Sequence, residues 1–223
     1  MTVLLVLSIF LAFIVLDSLL NARKAIATVP LQVAAPAPGG EYVDGFLVPD
    51  SPSYHAGHTW LLRGPAGEAR VGADEFAAAL AGRIEKIALP SPGELVRQGQ
   101  RIIGFFRNGQ ATEMVSPVEG RVLEANSEVL QNPSLLRLDP FGKGWLLRVR
   151  VEDEESSSRN LLPKGLVREW MRESVERLYG RQPQLAGAVA ADGGRPAEDL
   201  CAVLPGVDWR EVTGEFFLTA GRN

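Results

Sequence analysis

Few residues of this 223-residue chain have the type and spacing for covalent chemistry. There are four lysines, Lys24, Lys86, Lys143 and Lys164. The two histidines, His55 and His58, and the single Cys201 supply no zinc or iron–sulfur ligand spacing. One thiol closes no intrachain disulfide and imitates no dithiol, and its solitude fits a reducing compartment. His58 can be read as a ligand or base, or as a structural or surface histidine; without a partner motif nearby, the structural reading is preferred. No phosphate-cradling glycine loop and no nucleophile elbow occurs, and none of the many carboxylates is expected to pair with a neighbouring histidine. The expectation is a protein that is not an enzyme and holds no metal or cofactor. A formal net charge of -4 argues against a broad nucleic-acid surface.

The stretch around which the rest is arranged is Leu89–Gly120, LPSPGELVRQGQRIIGFFRNGQATEMVSPVEG. Alternating apolar residues flank Asn108-Gly109, a strong short-range hairpin signal. Before it, His58-Thr59-Trp60 with Leu61-Leu62-Arg63 reads as a strand, a Gly64–Gly67 turn follows, and Ala69–Gly72 reads as a second strand. Asp74 is placed to cap a short helix through Leu80, ended by Gly82. Arg83–Pro90 alternates as a half-buried strand does. Beyond the hairpin, Arg121–Asn126 alternates again. Asp139-Pro140-Phe141-Gly142-Lys143-Gly144 makes a tight reversal into a last strand beginning at Trp145. Glu152–Ser158 reads as a solvated turn, and Lys164–Tyr179 as a helix with Leu166, Val167, Trp170, Met171, Val175 and Leu178 at helical spacing.

These pieces, in this order, resemble the glycine cleavage H-protein family of lipoyl/biotinyl-domain-like carriers over roughly residues 56–175. The resemblance is carried by His58-x-Trp60, by Arg70-Val71-Gly72-Ala73-Asp74-Glu75-Phe76-Ala77 and by Ser116-Pro117-Val118-Glu119-Gly120-Arg121-Val122. It continues through Ser127–Leu136 and is most specific at Asp139–Val149. It implies a mainly β fold, a flattened, mostly antiparallel hammerhead β-sandwich (barrel-sandwich hybrid) with small helices. It also implies that the family's lipoylated lysine falls near Asn108, Gly109 and Gln110. None of the four lysines is on this hairpin, and the lipoyl arm is joined through a lysine amide. The carrier fold is therefore expected without the carrier chemistry.

Thr2–Leu16 carries no charge, and apolar character resumes at Leu19-Leu20 after Asp17. At ~1.5 Å per residue, about 18 apolar residues cross most of a bilayer. Arg23 and Lys24 follow it and no basic residue precedes it, which places the later chain on the cytoplasmic side of the inner membrane. A cleaved signal peptide is the alternative. Asp17 is read as interfacial, or else as a contact to a partner helix. The expected organisation is an anchor over 1–22, a Pro/Gly/Ala-rich linker over 23–53, an H-protein-like domain over 54–180 and an extension over 181–223. Within the linker, Tyr42, Phe46, Leu47 and Val48 can dock back on the domain. In the extension, Asp208 can cap a helix whose Trp209, Phe216 and Phe217 either pack on the domain or face a partner.

The functional expectation is a membrane-anchored, non-lipoylated binding or scaffold module, an accessory subunit or adaptor whose partners are proteins of a membrane complex. One alternative is a lipoate-dependent carrier of the glycine cleavage type. A second is a lipoyl-like adaptor of an envelope transporter, disfavoured because no sustained heptads occur.

Overall fold

The computed structural model describes residues 39–181, 199–203, 206 and 208–220. The expected anchor (1–22) and most of the expected linker lie outside the described residues. Among those described, no helix is long and apolar enough to cross a membrane.

The described residues start within the stretch read as linker. β1 (Gly40–Val43) and β2 (Phe46–Pro49) pair antiparallel around Asp44-Gly45, whose φ angles of 47° and 88° are both left-handed. An Asp-Gly pair favours this two-residue hairpin turn. Val43, Phe46 and Val48 are buried in the core, Leu47 packs against it, and Tyr42 stays exposed. Residues 40–49 are therefore part of the folded unit, because their apolar side chains dock there.

β3 (Ser53–Tyr54), β4 (Thr59–Arg63) and β5 (Glu68–Ala73) follow, then α1 (Glu75–Ala81). Trp60 sits opposite Gly72 in register. A Cβ on Gly72 would lie 2.4 Å from the indole, so the ring needs glycine beneath it. Its N–H donates to the Ala73 carbonyl at 2.9 Å. As expected, Asp74 caps α1, its Oδ1 accepting from the Ala77 N–H at 2.8 Å.

The remaining strands are β6 (Lys86–Ala88), β7 (Leu95–Val96), β8 (Arg101–Arg107), β9 (Gln110–Val115), β10 (Gly120–Ala125) and β11 (Leu147–Val151). The strand expected over 83–90 is shorter, and the last strand starts two residues after Trp145. One sheet has the order β3-β4-β5-β11-β10-β7 and the other β6-β8-β9, with every pairing antiparallel. Val71, Val122 and Val149 of the first share one core with Ile103, Phe105 and Met114 of the second. The architecture is mainly β, as the sequence leads one to expect.

α2 (Ser127–Gln131) and α3 (Leu135–Leu138) lead into the Asp139 reversal, where the carboxylate accepts from the N–H groups of Gly142 and Lys143. In place of the expected solvated turn, Glu154–Ser158 forms a short helix, α4, and α5 (Val167–Gly180) follows a 3-10 turn at Lys164–Leu166. α6 (Leu200–Val203) and α7 (Trp209–Phe216) complete the described chain.

Asp208 caps α7 as expected. Trp209, Phe216 and Phe217 are buried, which corrects their reading as possible partner contacts. The Trp209 N–H donates to the Ala81 carbonyl at 3.1 Å. Phe216 lies 5.2 Å from Phe76 and Phe217 lies 6.3 Å from Phe105, centroid to centroid. Aromatic area of this size is most stable inside, and the end of α1 supplies the indole's acceptor.

Candidate site at the carrier hairpin

β8 and β9 are joined by Asn108 and Gly109 alone, with φ of 48° and 72°. Two successive left-handed residues define the type I′ turn that matches strand twist. The tip projects into open space, for a Cβ built on Gly109 meets nothing within 4 Å. The Asn108 N–H donates to the Glu85 carboxylate at 3.2 Å. Behind the tip, Arg107 forms a 2.8 Å ion pair with Asp199, with side chains only 15% and 12% exposed. At the root, the Ser116 hydroxyl donates to the Val118 carbonyl, and Arg101 donates to the carbonyl of Thr219. The Thr213 hydroxyl on α7 donates to Thr112 on β9 at 2.8 Å, in a buried position. The C-terminal segment thus braces the hairpin along its length.

What this tip can do is limited by its side chains. Asn108 and Gln110 carry carboxamides, whose nitrogen lone pairs are delocalised and do not attack acyl groups, and Gly109 carries nothing. An ε-amine does lie close by. Lys86 on β6 pairs with Phe106 of β8, its Nζ 5.5 Å from the ring centroid, and is exposed. Sequence separation alone hid this neighbour; the antiparallel β6–β8 pairing brings it to the hairpin. Lys143 sits in the Asp139 reversal and Lys164 in the 3-10 turn before α5. Lys24 lies outside the described residues.

The other candidates serve the core. His58 is fully buried, its Nδ1 2.8 Å from Asp74 Oδ2 and its ring between Phe76 and Trp170 at 4.5 and 4.4 Å. Burial, and then neighbouring His58, push His55 below the ordinary imidazole range. Burial, reinforced by Asp199, pushes the Cys201 thiol up to about 11, so it is a poor nucleophile near neutrality. Among the described residues no three His, Cys, Asp or Glu side chains gather as a metal site.

The family model for the glycine cleavage H-protein matches residues 53–174. This chain belongs to the glycine cleavage H-protein family. Its relatives include the glycine cleavage system H proteins of Bifidobacterium longum, 35% identical over 48% of this chain and 78% of that one, and of Streptomyces avermitilis, 36% identical over 48% and 85%. A solved H-protein structure from Mycobacterium marinum is 25% identical, covers 50% of this chain and 97% of its own, and superposes with a TM-score of 0.44. Asp199, Thr213 and Thr219, which brace the hairpin, lie beyond the matched segment.

Proposed function

We propose that this chain is an H-protein-like docking module whose hairpin carries no lipoyl arm. The single observation behind the proposal is the tip itself, a well-formed type I′ turn that offers Asn108 and Gly109 where an amine is needed. A module keeping the frame of a carrier that visits several enzymes, but lacking the arm, retains surface recognition as its remaining activity. We further assign the N-terminal apolar segment as an inner-membrane anchor, with the folded unit on the cytoplasmic side as an accessory subunit of a membrane complex. The hammerhead description and the division at residues 22, 53 and 180 belong to the same proposal, with β1–β2 and α7 added to the folded unit.

Kinship supports a second reading, since the relatives are named as glycine cleavage system H proteins. On that reading the chain is a lipoate carrier, and Lys86, exposed beside the hairpin, is the amine for the amide.

One experiment separates the two. The full chain is purified from native membranes in mild detergent, and bait and companions are weighed by mass spectrometry. An unmodified bait with stoichiometric protein partners is expected. A lipoyl-sized mass increment, mapped to Lys86 or any other lysine, would overturn the docking reading in favour of the carrier.

A further inference from the structure

A groove of about 930 Å³ runs along the outer side of the hairpin sheet. Its floor is Ile102, Gly104 and Phe106 of β8 with Ala88 of β6, none of them fully buried. Gly104 keeps that floor low, since a Cβ there would already touch Ala88 and the Phe106 ring at 3.4 Å. One wall is β7, where Leu95 is 47% exposed. The other wall is α7 and the residues after it, which the family match does not include. The groove is therefore a composite of family frame and added segment.

Its charge is mixed, with an acidic surplus. Glu94, Glu113, Asp208 and Glu211 line it against Arg101 and Arg210, and no lysine does. Arg101 is also drawn towards Glu113 at 3.8 Å and to the Thr219 carbonyl at 2.7 Å. Glu211 meets Arg181 at 3.3 Å but keeps its side chain 70% exposed, and Asp208 caps α7; an apolar floor with an acidic surplus at its margins suits an occupant with apolar side chains on one side and cationic ones at its edges.

We propose that this groove docks a basic, apolar peptide segment of a partner protein. Apolar side chains would lie over Gly104 between Leu95 and Phe106, and Lys or Arg side chains would reach Glu94 on one wall and Glu211 on the other. The proposal rests on the docking reading above and names the partner's chemistry.

The test titrates fluorescent 12-residue peptides against the full chain by anisotropy: one of Leu and Lys, one of Leu and Glu with the same spacing. The Leu/Lys peptide is expected to bind at least tenfold more tightly than the Leu/Glu peptide. Gly104→Leu, which raises the floor, and the pair Glu94→Lys with Glu211→Lys are each expected to weaken it at least tenfold. Glu176→Lys on α5, away from the groove lining, is expected to leave it unchanged. Should Gly104→Leu unfold the chain, the charge pair alone decides. Equal binding of both peptides, or Leu/Lys binding that the groove variants do not alter, would overturn the proposal. Membrane partners that still co-purify with the groove variants would overturn the groove and spare the docking reading; a lipoylated bait without partners would overturn the docking reading itself.

Discussion

Asp74 does two jobs from one buried carboxylate. Oδ1 caps α1 and Oδ2 meets His58, so removing it strips a helix end and strands a buried ring nitrogen. Asp74→Ala is expected to cost roughly 2–4 kcal/mol, about 1 from the cap and the rest from the unsatisfied imidazole. Asp74→Asn, which keeps a capping oxygen, is expected to cost less; urea unfolding of both variants checks the order. His55 gives a pH prediction. Its folded pKa lies below the ordinary value because burial disfavours the cation, so the native state binds a proton less readily than the unfolded chain. Its contribution to stability is full above the unfolded value of about 6.5 and is lost as pH falls through the lowered folded one. The Nδ1 that accepts the Gly57 N–H at 3.0 Å is also the atom protonation would take away. His55→Gln is expected to flatten the decline of the melting temperature between neutral and mildly acidic pH, and equal slopes in variant and parent would refute the assignment.

At the scale of elements, the β8–β9 hairpin is held by backbone conformation as much as by contacts. Gly109 faces open space, yet its φ of 72° penalises any Cβ. Gly109→Ala is accordingly expected to cost about 1–2 kcal/mol with no steric clash, measurable as a shift in denaturation midpoint. Gly109→Lys should pay the same conformational cost and place an amine on the tip. With a lipoate–protein ligase, lipoate and ATP it is expected to gain a lipoyl mass at residue 109 while the parent tip stays unmodified. Such local elements are the ones legible in the sequence. The Asn-Gly turn, the Asp74 and Asp208 caps and the Asp139 reversal each rest on residues a few positions apart. The Asp44-Gly45 turn carries the same kind of signal, but Pro, Gly and Ala around it read as linker. The acidic, serine-rich 152–158 run reads as a turn, because its weak helical preference says little until packing decides.

Across the whole molecule, pairings distant in sequence were the illegible part. Lys86 reaches the hairpin through strand order, and His58 meets Asp74 only when β4 and α1 come together. The aromatic residues of α7 were patterned plainly enough, but their spacing did not say whether they faced the chain's own core or another protein. Their burial makes a stability prediction. Phe216→Ala is expected to cost about 3–5 kcal/mol, read from urea unfolding of the full chain, and a cost near zero would show that α7 is a detachable appendage.

The brace from the C-terminal segment also sets an order of events during synthesis. Trp209 bonds a carbonyl 128 residues earlier and Arg107 waits for a carboxylate 92 residues later. A ribosome that has made the entire family-matched segment has still not delivered the residues that cover Phe76 and Phe105. Until residues 209–217 emerge, the nascent chain lacks the rings that pack on Phe76 and Phe105, and exposed aromatic surface of this sort is where chaperones act and aggregation starts. Messages truncated before the codon for Trp209 should therefore yield a product that is captured or degraded.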